Sequence, residues 1–536
     1  MNKMLFPLQV IFLASIALFG QIFFTLPEEA DTYFVMNLGR YILENGFPTV
    51  DPFTIHENLK LVAQQWLSGI FFWEVYKNFG VDGLRLVDAI CGAMLVLIYW
   101  QLCLYVSGGN KTLSFALSLF VGLLVTPSIV PRPQIFSTPL LLCEVFLLEK
   151  FTRAKNFKFL LPLPLVSIAL VNFHSAIWLM SLVLCLPFLF VKDFRHIKFL
   201  LAAMAGIFIS GLINPYGLDA MTYVFRSYGI DLINSHVSEM FTPTAHDLRG
   251  KCFYLFEALL IFSLAKFKVP WRYIFLSGGI TFMAIMHERN VILFCFLATF
   301  PIAYAWRNFT IKKFGDDRIL PTIIFFLLVL VNTACITTLL KDELEKLSTP
   351  LEILLAVSTL VVLYNLLIAK FEGRLLHPAI LPRKNLALFI TALIVGGITF
   401  TTFDGGHRDS DGMFVTAIKF ILRSEPPENI SLYTDQGFGG LAGMFDVRYY
   451  IDSRSEVFLP DNNGQKNFFE EYMDFKYGKI YYKDFFARYD FTHIIITNDE
   501  PFIYDQISRD KNFRVIYESE RVDGYTVKRL KVFVPR

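Results

Sequence analysis

The sequence predicts a multi-pass α-helical membrane protein with a small α/β domain at its C-terminal end. Two observations lead to this fold class. Of the 536 residues, 54% are hydrophobic and 18% are charged, whereas soluble domains carry about 25% charged residues. After Phe403, long apolar runs give way to frequent charges and turn residues. We therefore divide the chain into a membrane domain, residues 1–403, and a C-terminal domain, residues 404–536.

Apolar runs long enough to cross roughly 30 Å of hydrocarbon define the membrane domain. About thirteen occur, near residues 4–26, 82–106, 112–131, 135–151, 158–173, 175–192, 197–213, 251–266, 270–286, 290–306, 318–340, 350–370 and 384–402. The run at 66–79 is predicted to be an interfacial or re-entrant segment. The run at 4–26 is too long for a secretory signal and no cleavage site of small residues follows it, so we expect a membrane helix there.

Positive charge predicts the orientation. Lysine and arginine cluster in five alternate connections, at 150–158, 192–198, 266–272, 307–318 and 370–384. The positive-inside rule makes that side cytoplasmic. We therefore expect a cytoplasmic N-terminus and an extracytoplasmic C-terminal domain. The net charge of +2 gives no reason to expect a nucleic-acid partner.

The first outer loop, residues 27–66, holds three acids close to the first apolar run: Glu28, Glu29 and Asp31. A carboxylate at such a boundary can take a proton from a hydroxyl, as a general base does. Apolar residues at helical spacing over Thr32–Glu44 predict an amphipathic helix in the interface. Asp51 follows in a turn, before a proline. An ordinary solvated loop with surface carboxylates is the alternative interpretation.

Further polar residues fall on the same outer face. Arg132 lies between two prolines, and its planar fork fits phosphate oxygens, although an interfacial arginine also snorkels to the surface. His174, His287 and Arg289 lie at outer helix ends. Histidines at helix ends often serve structure, which is the alternative here. No pair of histidines shows HExxH-like spacing, so a metal site is not indicated.

Two later segments are candidates for acceptor binding. The segment after the NPYG turn at 214–217 carries His236 and Glu239 and is expected to lie along the interface. In the C-terminal domain, YYIDSRSEVF places Asp452 and Arg454 directly after a strand. The preceding glycine-rich stretch, DQGFGGLAGMF, lacks the spacing of a nucleotide-binding loop. We expect it to be a tight turn that lets the domain touch the membrane site.

Short apolar runs between turn residues predict the elements of the C-terminal domain. Strands are expected at Ile430–Tyr433, Tyr449–Asp452, His493–Thr497, Phe513–Tyr517 and Tyr525–Val534. Helices are expected at Phe414–Arg423, Phe468–Lys476 and Pro501–Asp510. Strands alternating with helices indicate a small α/β domain.

An acidic first outer loop, many further helices and an outer C-terminal domain together resemble the GT-C superfamily of membrane glycosyltransferases. DTYFVMNLGRYILENGFPTVDPFT, QQWLSGIFF, PRPQIFS, VNFHSAIW, INPYG and YIDSRSEVF are similar to pieces of a bacterial GT-C-like group. The resemblance implies an enzyme of the bacterial inner membrane. It would move a sugar from a polyprenyl-phosphate carrier to a hydroxyl of a glycan, lipid or protein acceptor.

The resemblance also implies roles for residues. Asp31 matches the family's general base, with Glu29 and Asp51 as further catalytic candidates. The remaining assignments are Arg132, Arg289, His174 and His287 for the donor phosphate, and His236, Glu239, Asp452 and Arg454 for the acceptor or for docking. The family's aromatic pair after the first Asp is replaced here by Thr32–Tyr33–Phe34, and its Asp-Glu-type pair is absent. That departure leaves Glu28 or Glu29 as a substitute base.

Beyond the lipid-linked donor the resemblance implies no certain cofactor, and a divalent metal is not indicated. Two other classes of function stay open. A transporter or flippase of lipid-linked sugars would often show inverted repeats and charged residues in mid-helix. The sequence shows no repeat, and its ionisable residues lie mainly at helix ends, with Glu144 and Asp88 as exceptions. A non-catalytic cell-envelope scaffold is the other alternative.

Overall fold

The computed structural model describes residues 13–14, 29–125, 128–246, 248–308, 409–523 and 526–536. The runs expected at 318–340, 350–370 and 384–402, and most of 4–26, lie outside the described residues. Within the described ranges, three helical segments are long and apolar enough to cross a bilayer: Trp66–Val106, Phe194–Gly211 and Glu288–Ala305. The number of thirteen spans therefore stays a prediction.

The described part of the membrane domain is mainly helical. Its α-helices are α1 (Ala30–Asn45), α2 (Trp66–Val106), α3 (Lys111–Val125), α4 (Gln134–Ala154), α5 (Leu163–Phe173), α6 (Leu179–Cys185), α7 (Phe194–Gly211), α8 (Leu218–Met221), α9 (Val224–Ser227), α10 (Asp231–His236), α11 (Leu248–Lys266), α12 (Trp271–Met286), α13 (Val291–Leu293) and α14 (Pro301–Ala305). Helix α2 is interrupted at Gly80, whose φ of 62° suits glycine. The segment 66–79 is therefore a helix of its own that leads into the predicted span.

Buried polar groups join the helices of this domain. Glu149 of α4 is fully buried and accepts hydrogen bonds from Arg272 of α12, with Nε to Oε1 at 2.7 Å. The second oxygen of the carboxylate lies 3.3 Å from Nε of Arg153. Both arginines belong to connections predicted to be cytoplasmic. Glu144, also buried, accepts a hydrogen bond from Ser181 of α6 at 2.6 Å, so it pairs helices.

The C-terminal domain contains a five-stranded mixed sheet. Its strands are β1 (Ser431–Tyr433), β2 (Arg448–Tyr449), β3 (His493–Thr497), β4 (Phe513–Asp523) and β5 (Thr526–Pro535), in the order β2-β1-β3-β5-β4. The helices are α15 (Asp409–Ile421), α16 (Gln436–Gly443), α17 (Pro460–Asn463), α18 (Phe468–Lys476), α19 (Tyr482–Phe486) and α20 (Pro501–Arg509). Strand β1 runs parallel to β2 and β3, and the other pairs are antiparallel. The predicted strands are confirmed, with shifted ends.

The glycine-rich stretch forms helix α16, so the prediction of a tight turn was wrong. Asp435 caps the helix, accepting a hydrogen bond from the Gly437 N–H at 2.8 Å. A Cβ at Gly440 would lie 3.0 Å from the Ala30 carbonyl oxygen. Because glycine has no side chain, α16 packs directly on α1, and the expected contact between this stretch and the first outer loop is present.

Helix α1 forms over the predicted residues but lies deeper than expected. Its apolar residues Phe34, Leu38 and Ile42 are buried, as their spacing predicts. Thr32 and Asn37 are buried as well. The helix contacts both α2 and α16, so it is packed between the two domains.

The rest of the first outer loop extends the sheet of the C-terminal domain. Thr54 forms a parallel bridge with Tyr449 of β2, and the Ile55 N–H donates to the Tyr449 carbonyl at 2.9 Å. The loop thereby covers the strand edge at β2, which would otherwise expose unpaired backbone groups. The loop and the domain are joined by main-chain hydrogen bonds as well as by side chains.

His56 makes this contact sensitive to pH. Its ring Nε2–H donates to the Tyr450 carbonyl at 2.8 Å, and the ring centroid lies 3.9 Å from that of Phe468. Burial lowers the pKa of His56 to about 4, although the Tyr450 hydrogen bond and Asp51 act in the opposite direction. In the unfolded chain the ring titrates near pH 6.5. The folded state therefore has its full stability above that pH. Its free energy of unfolding decreases by on the order of 3 kcal/mol as the pH falls toward 4.

We expect the melting temperature of wild-type protein to fall more steeply than that of a His56→Phe variant between about pH 7 and about pH 4.5. The phenylalanine keeps the ring contact with Phe468 and removes the titrating group. Thermal unfolding of both proteins across this range measures the two slopes. Equal slopes would contradict the assignment, whatever the absolute stability of the variant.

Candidate functional site

A cavity of about 500 Å³ lies between the membrane domain and the C-terminal domain. Its walls come from five pieces that the sequence places on one face: the first outer loop with the start of α1 and residues 64–65, the turn before α4, the tip after α5 with α6, residues 224–240, and the end of α12 with the tip that follows it and α13. The C-terminal domain adds Gln436, at the start of α16, and residues 453–456, which follow β2 after a short gap. The predicted pieces therefore meet in one place.

Not every predicted site residue reaches this cavity. Those that line it are Asp31, Arg132, His174, Glu239, Arg289 and Arg454. Glu29 contacts the site through Arg132. Glu28 lies outside the described residues. The other four, Asp51, His236, His287 and Asp452, make contacts elsewhere.

Arg132 gathers three carboxylates. Its Nη2 lies 2.6 Å from Glu29 Oε2 and 3.3 Å from Asp31 Oδ2, and its Nη1 lies 2.5 Å from Glu239 Oε1. Burial alone would lower the pKa of the guanidinium, but the carboxylates of Asp31, Glu239 and Glu29 outweigh it and raise the pKa above its ordinary value. The Thr32 hydroxyl donates to the Pro131 carbonyl at 3.2 Å, which ties the turn to α1.

These contacts give Arg132 a different environment from the phosphate clamp expected from its sequence context. Its two Nη atoms already face acidic partners. A guanidinium surrounded by carboxylates orients them and has little capacity left for a phosphate. We therefore treat Arg132 as a positioning residue for Asp31 below.

Asp31 stands in the first turn of α1. The start of a helix carries a partial positive charge, which attracts a carboxylate placed there. Its side chain is 37% exposed, more than that of Glu29 at 21%. Asp31 therefore combines a fixed orientation with access to a molecule in the cavity.

Arg289 and His174 form the second charged corner of the cavity. Within the described ranges no carboxylate lies at ion-pair distance from Arg289, whose Nη1 contacts the sulfur of Met240 at 3.7 Å. The His174 ring Nδ1 lies 3.1 Å from the Ser137 hydroxyl. Burial, followed by the positive charge of Arg289, lowers the pKa of His174 to about 3. This corner thus offers one unneutralised cation and one neutral imidazole.

Two of the predicted site histidines bond the backbone behind the cavity lining. The His287 Nδ1–H donates to the Met240 carbonyl at 2.7 Å and so fixes the tip before α13 to residues 231–240. His236 bonds the Leu232 carbonyl of its own helix at 2.9 Å. Neither ring lines the cavity. The structural alternative fits His287, whereas the His236 ring lies 5.8 Å from that of Tyr477, a contact with the C-terminal domain of the kind expected for docking.

Asp51, Asp452 and Arg454 form a buried ionic cluster at the seam between the domains. Arg454 Nη1 lies 2.5 Å from Asp51 Oδ1, and its Nη2 lies 2.6 Å from Asp452 Oδ2. The other oxygen of Asp51 accepts from the N–H and hydroxyl of Thr54. The guanidinium also covers the Phe34 ring at 4.2 Å. Of the two roles expected for Asp452 and Arg454, docking matches these contacts.

Part of the cavity lining is apolar, and we call these residues the apolar wall. They come from the tip after α5, from α6 and α9, and from α12 and α13: Ile177, Leu179, Met180, Val183, Val224, Met283 and Leu293. The charged and polar lining residues are called the polar wall. The cavity is therefore amphiphilic.

Sequence reasoning missed four uncharged residues that line the polar wall. Each has a buried polar atom without a hydrogen-bond partner among the described residues: Gln64 Oε1, Gln134 Oε1, Gln436 Oε1 and Ser453 Oγ. Buried polar groups are almost always paired in native proteins. A polar ligand in the cavity could pair with these atoms. Each residue lies inside a stretch already noted in the sequence, but an amide or hydroxyl carries no charge pattern that would single it out.

No metal-binding group stands out in the part of the chain that the structure describes. No set of three or more His, Cys, Asp or Glu side chains there is arranged to hold an ion. The three acids nearest one another converge on Arg132 instead.

No protein-family model matches the chain, and no curated protein sequence matches it. The fold does have relatives among solved structures. The oligosaccharyltransferase of Archaeoglobus fulgidus in its apo form superposes with a TM-score of 0.50 at 11% identity, over 91% of this chain and 69% of that one. The chain shares the fold of that structure. At this identity the likeness is one of fold, and it confirms the resemblance at that level.

ArnT from Cupriavidus metallidurans is also similar, at lower TM-scores. Its structure bound to undecaprenyl phosphate gives a TM-score of 0.47 at 10% identity, over 98% of this chain and 96% of that one. Its apo structure gives 0.48 at 11% identity, over 96% of each chain.

Proposed function

We propose that this protein transfers a sugar from a polyprenyl-phosphate carrier to an acceptor hydroxyl at the outer face of the membrane. One observation carries the proposal: a single cavity of about 500 Å³ combines an apolar wall with a polar wall on which Asp31 is exposed. A lipid-linked sugar has matching parts, which are an apolar chain, an anionic phosphate and a hydroxyl-rich ring. The GT-C fold supports the same reaction class.

The donor is held by contacts of three kinds. The first isoprene units pack against the apolar wall, for example Met180 and Leu293. The phosphate faces Arg289, the cavity-lining arginine for which the described residues supply no acidic partner. Charge-assisted hydrogen bonds to phosphate are stronger than neutral ones. The neutral ring of His174 lies on the same side and orients the phosphate or the sugar by hydrogen bonding.

The transfer step uses Asp31 as general base. The acceptor oxygen attacks the anomeric carbon while its proton passes to the Asp31 carboxylate. The bond between the anomeric carbon and the phosphate oxygen breaks, and the electron pair leaves with the polyprenyl phosphate. Arg289 stabilises the charge that develops on this leaving group. Arg132 holds the Asp31 carboxylate in place from 3.3 Å.

The decisive experiment measures sugar release from a lipid carrier. Full-length protein in nanodiscs is incubated with radiolabelled polyprenyl-phosphate sugars, and the label is followed from the lipid phase to the aqueous phase. Wild-type protein should release sugar, with water supplying the attacking hydroxyl in place of the acceptor. A protein that moves the labelled lipid between leaflets without breaking the sugar–phosphate bond would be a flippase, and one that does neither would be a scaffold.

Replacing Arg289 with Gln should lower kcat/KM for the donor by about 10- to 100-fold, because a charge-assisted hydrogen bond to the phosphate is lost. An Arg423→Gln variant is the matched control, since Arg423 is exposed in the C-terminal domain and does not line the cavity. Donor titrations of the three proteins provide the comparison. Equal kcat/KM values for wild type and Arg289→Gln would remove Arg289 from the phosphate site.

A further inference from the structure

We propose that the C-terminal domain supplies the acceptor subsite of this cavity and that the subsite takes a neutral, hydroxyl-rich acceptor, that is, a carbohydrate. The inference rests on the proposed transfer reaction, whose acceptor class the fold leaves open. The acceptor subsite consists of Gln436, Ser453 and Glu456 of the C-terminal domain, together with Gln64 of the first outer loop. All four line the cavity that Asp31 lines.

Contacts from the membrane domain hold Glu456 in place. Its Oε1 accepts a hydrogen bond from the Tyr223 hydroxyl at 3.0 Å and one from Gln64 Nε2 at 3.4 Å. Ser453 is fixed differently, because it lies between the two residues of the buried Asp452–Arg454 ion pair. The subsite is therefore built of side chains with defined positions, on elements that also hold the domains together.

The unpaired atoms of the subsite favour a ligand rich in hydrogen-bond donors. Gln64 donates its amide hydrogen to Glu456, which leaves its Oε1 as an acceptor, and Gln436 also has an unpaired Oε1. A carbonyl oxygen can only accept. The Ser453 hydroxyl, unpaired as well, can donate or accept. Sugar hydroxyls donate and accept in turn and satisfy all three, whereas an ionised phosphate or carboxylate offers acceptors only.

The charges around the subsite also favour a neutral ligand. Within the described ranges no cation lies at ion-pair distance from Glu456, and Arg454 is already neutralised by Asp51 and Asp452. Burial raises the pKa of Glu456 and Asp31 adds to this, while the Tyr223 hydrogen bond and Arg454 lower it. If ionised, the carboxylate repels an anion. If protonated, it donates to a hydroxyl. A neutral acceptor is favoured in both states.

The subsite lies on the same wall as the proposed base. Phe34 follows Asp31 by one turn of α1, and its ring contacts the guanidinium of Arg454, which belongs to the segment that carries Ser453. The donor's apolar chain is assigned to α6, α12 and α13 instead. An acceptor bound by the C-terminal domain can therefore present its hydroxyl to Asp31 without displacing the lipid.

Binding of small probes tests the inference separately from turnover. Full-length protein in nanodiscs is examined by saturation-transfer difference NMR with methyl α-glucoside, glucose 1-phosphate and the peptide Gly-Ser-Gly, in wild type and in the Arg289→Gln variant, whose donor phosphate site lacks its cation. In the Arg289→Gln variant we expect the methyl glucoside to bind with an affinity at least about tenfold above that of the anion, and the peptide to give no signal in either protein. Tighter binding of glucose 1-phosphate than of the methyl glucoside to Arg289→Gln, or tighter binding of the peptide to either protein, would overturn the carbohydrate class.

Single substitutions in the subsite test where the methyl glucoside binds. Ser453→Ala and Gln436→Ala should each weaken methyl glucoside binding by about two- to tenfold, the effect of one hydrogen bond. Ser519→Ala, on strand β4 and outside the cavity, is the matched control. Unchanged binding in both subsite variants would overturn the inference, as would an equal loss in Arg289→Gln, because the probe would then occupy the donor side.

Failure of the acceptor subsite and failure of the proposed function give different results. A wild-type protein that binds methyl glucoside at this subsite but releases no sugar from lipid-linked donors would contradict the transferase proposal alone. If wild-type protein releases sugar, but the Ser453→Ala and Gln436→Ala variants bind the probe as tightly as wild type does, the subsite alone would be contradicted. Glu456→Gln, which keeps a neutral side chain of the same size, should retain methyl glucoside binding. A loss as large as that in Glu456→Ala would overturn the role given to this carboxyl.

Discussion

The Asp31→Asn variant should fold normally and lose sugar transfer by about 10²- to 10⁴-fold, the usual contribution of a general base. Asparagine has the same size and its oxygen still accepts a hydrogen bond from Arg132, so the geometry of the start of α1 is kept. It cannot take a proton from the acceptor. The loss should appear in kcat at saturating donor, because the base acts in the transition state rather than in binding.

Two further variants make this result specific. Asp461→Asn, an exposed residue of the C-terminal domain, is the matched control and should keep wild-type activity. The Glu29→Gln variant tests which of the two acids is the base. Glu29 is the other candidate because it also contacts Arg132, at a shorter distance than Asp31 does. An active Asp31→Asn protein beside an inactive Glu29→Gln protein would move the base to Glu29. Thermal unfolding of all three checks that they fold alike.

Local patterns in the sequence account for the parts of the fold that were predicted. Helix α1 and strand β3 follow from the spacing and β-branched character of their own apolar residues. The convergence of Asp31, His174 and Arg289 followed from counting spans, since alternate connections must meet on one side. These predictions need only information that is close together in the chain, or the alternation imposed by a membrane.

The contacts between distant residues could not be predicted in this way. Arg132 meets Glu239 across 107 positions, and Arg454 meets Asp51 across 403. No local pattern in the sequence predicts which of the charged residues form ion pairs. The glycine-rich stretch was missed for a related reason: glycine disfavours helix in isolation, but close packing of α16 on α1 requires it. Gln64 and Gln436 become functional candidates only once their burial is known.

Arg454 is the buried cation on which the joint between the domains depends. It is 5% exposed and lies between two carboxylates whose side chains are fully buried. Burial alone would lower the pKa of the guanidinium, but Asp452 and Asp51 raise it well above its ordinary value. The cluster also joins residues that are 403 positions apart. Its loss should therefore separate the first outer loop from the C-terminal domain.

We expect Arg454→Met to destabilise the joint by about 3–5 kcal/mol, the cost of leaving a buried charge without its partner. Methionine fills much of the same volume, so the effect reports charge rather than a cavity. Thermal unfolding and limited proteolysis between the domains provide the measurements, with exposed Arg448→Met as the control. Adding Asp51→Asn and Asp452→Asn to Arg454→Met should recover part of the loss, because no unpaired charge remains. An Arg454→Met protein as stable as wild type would mean that water reaches the two carboxylates and that the cluster does not hold the domains together.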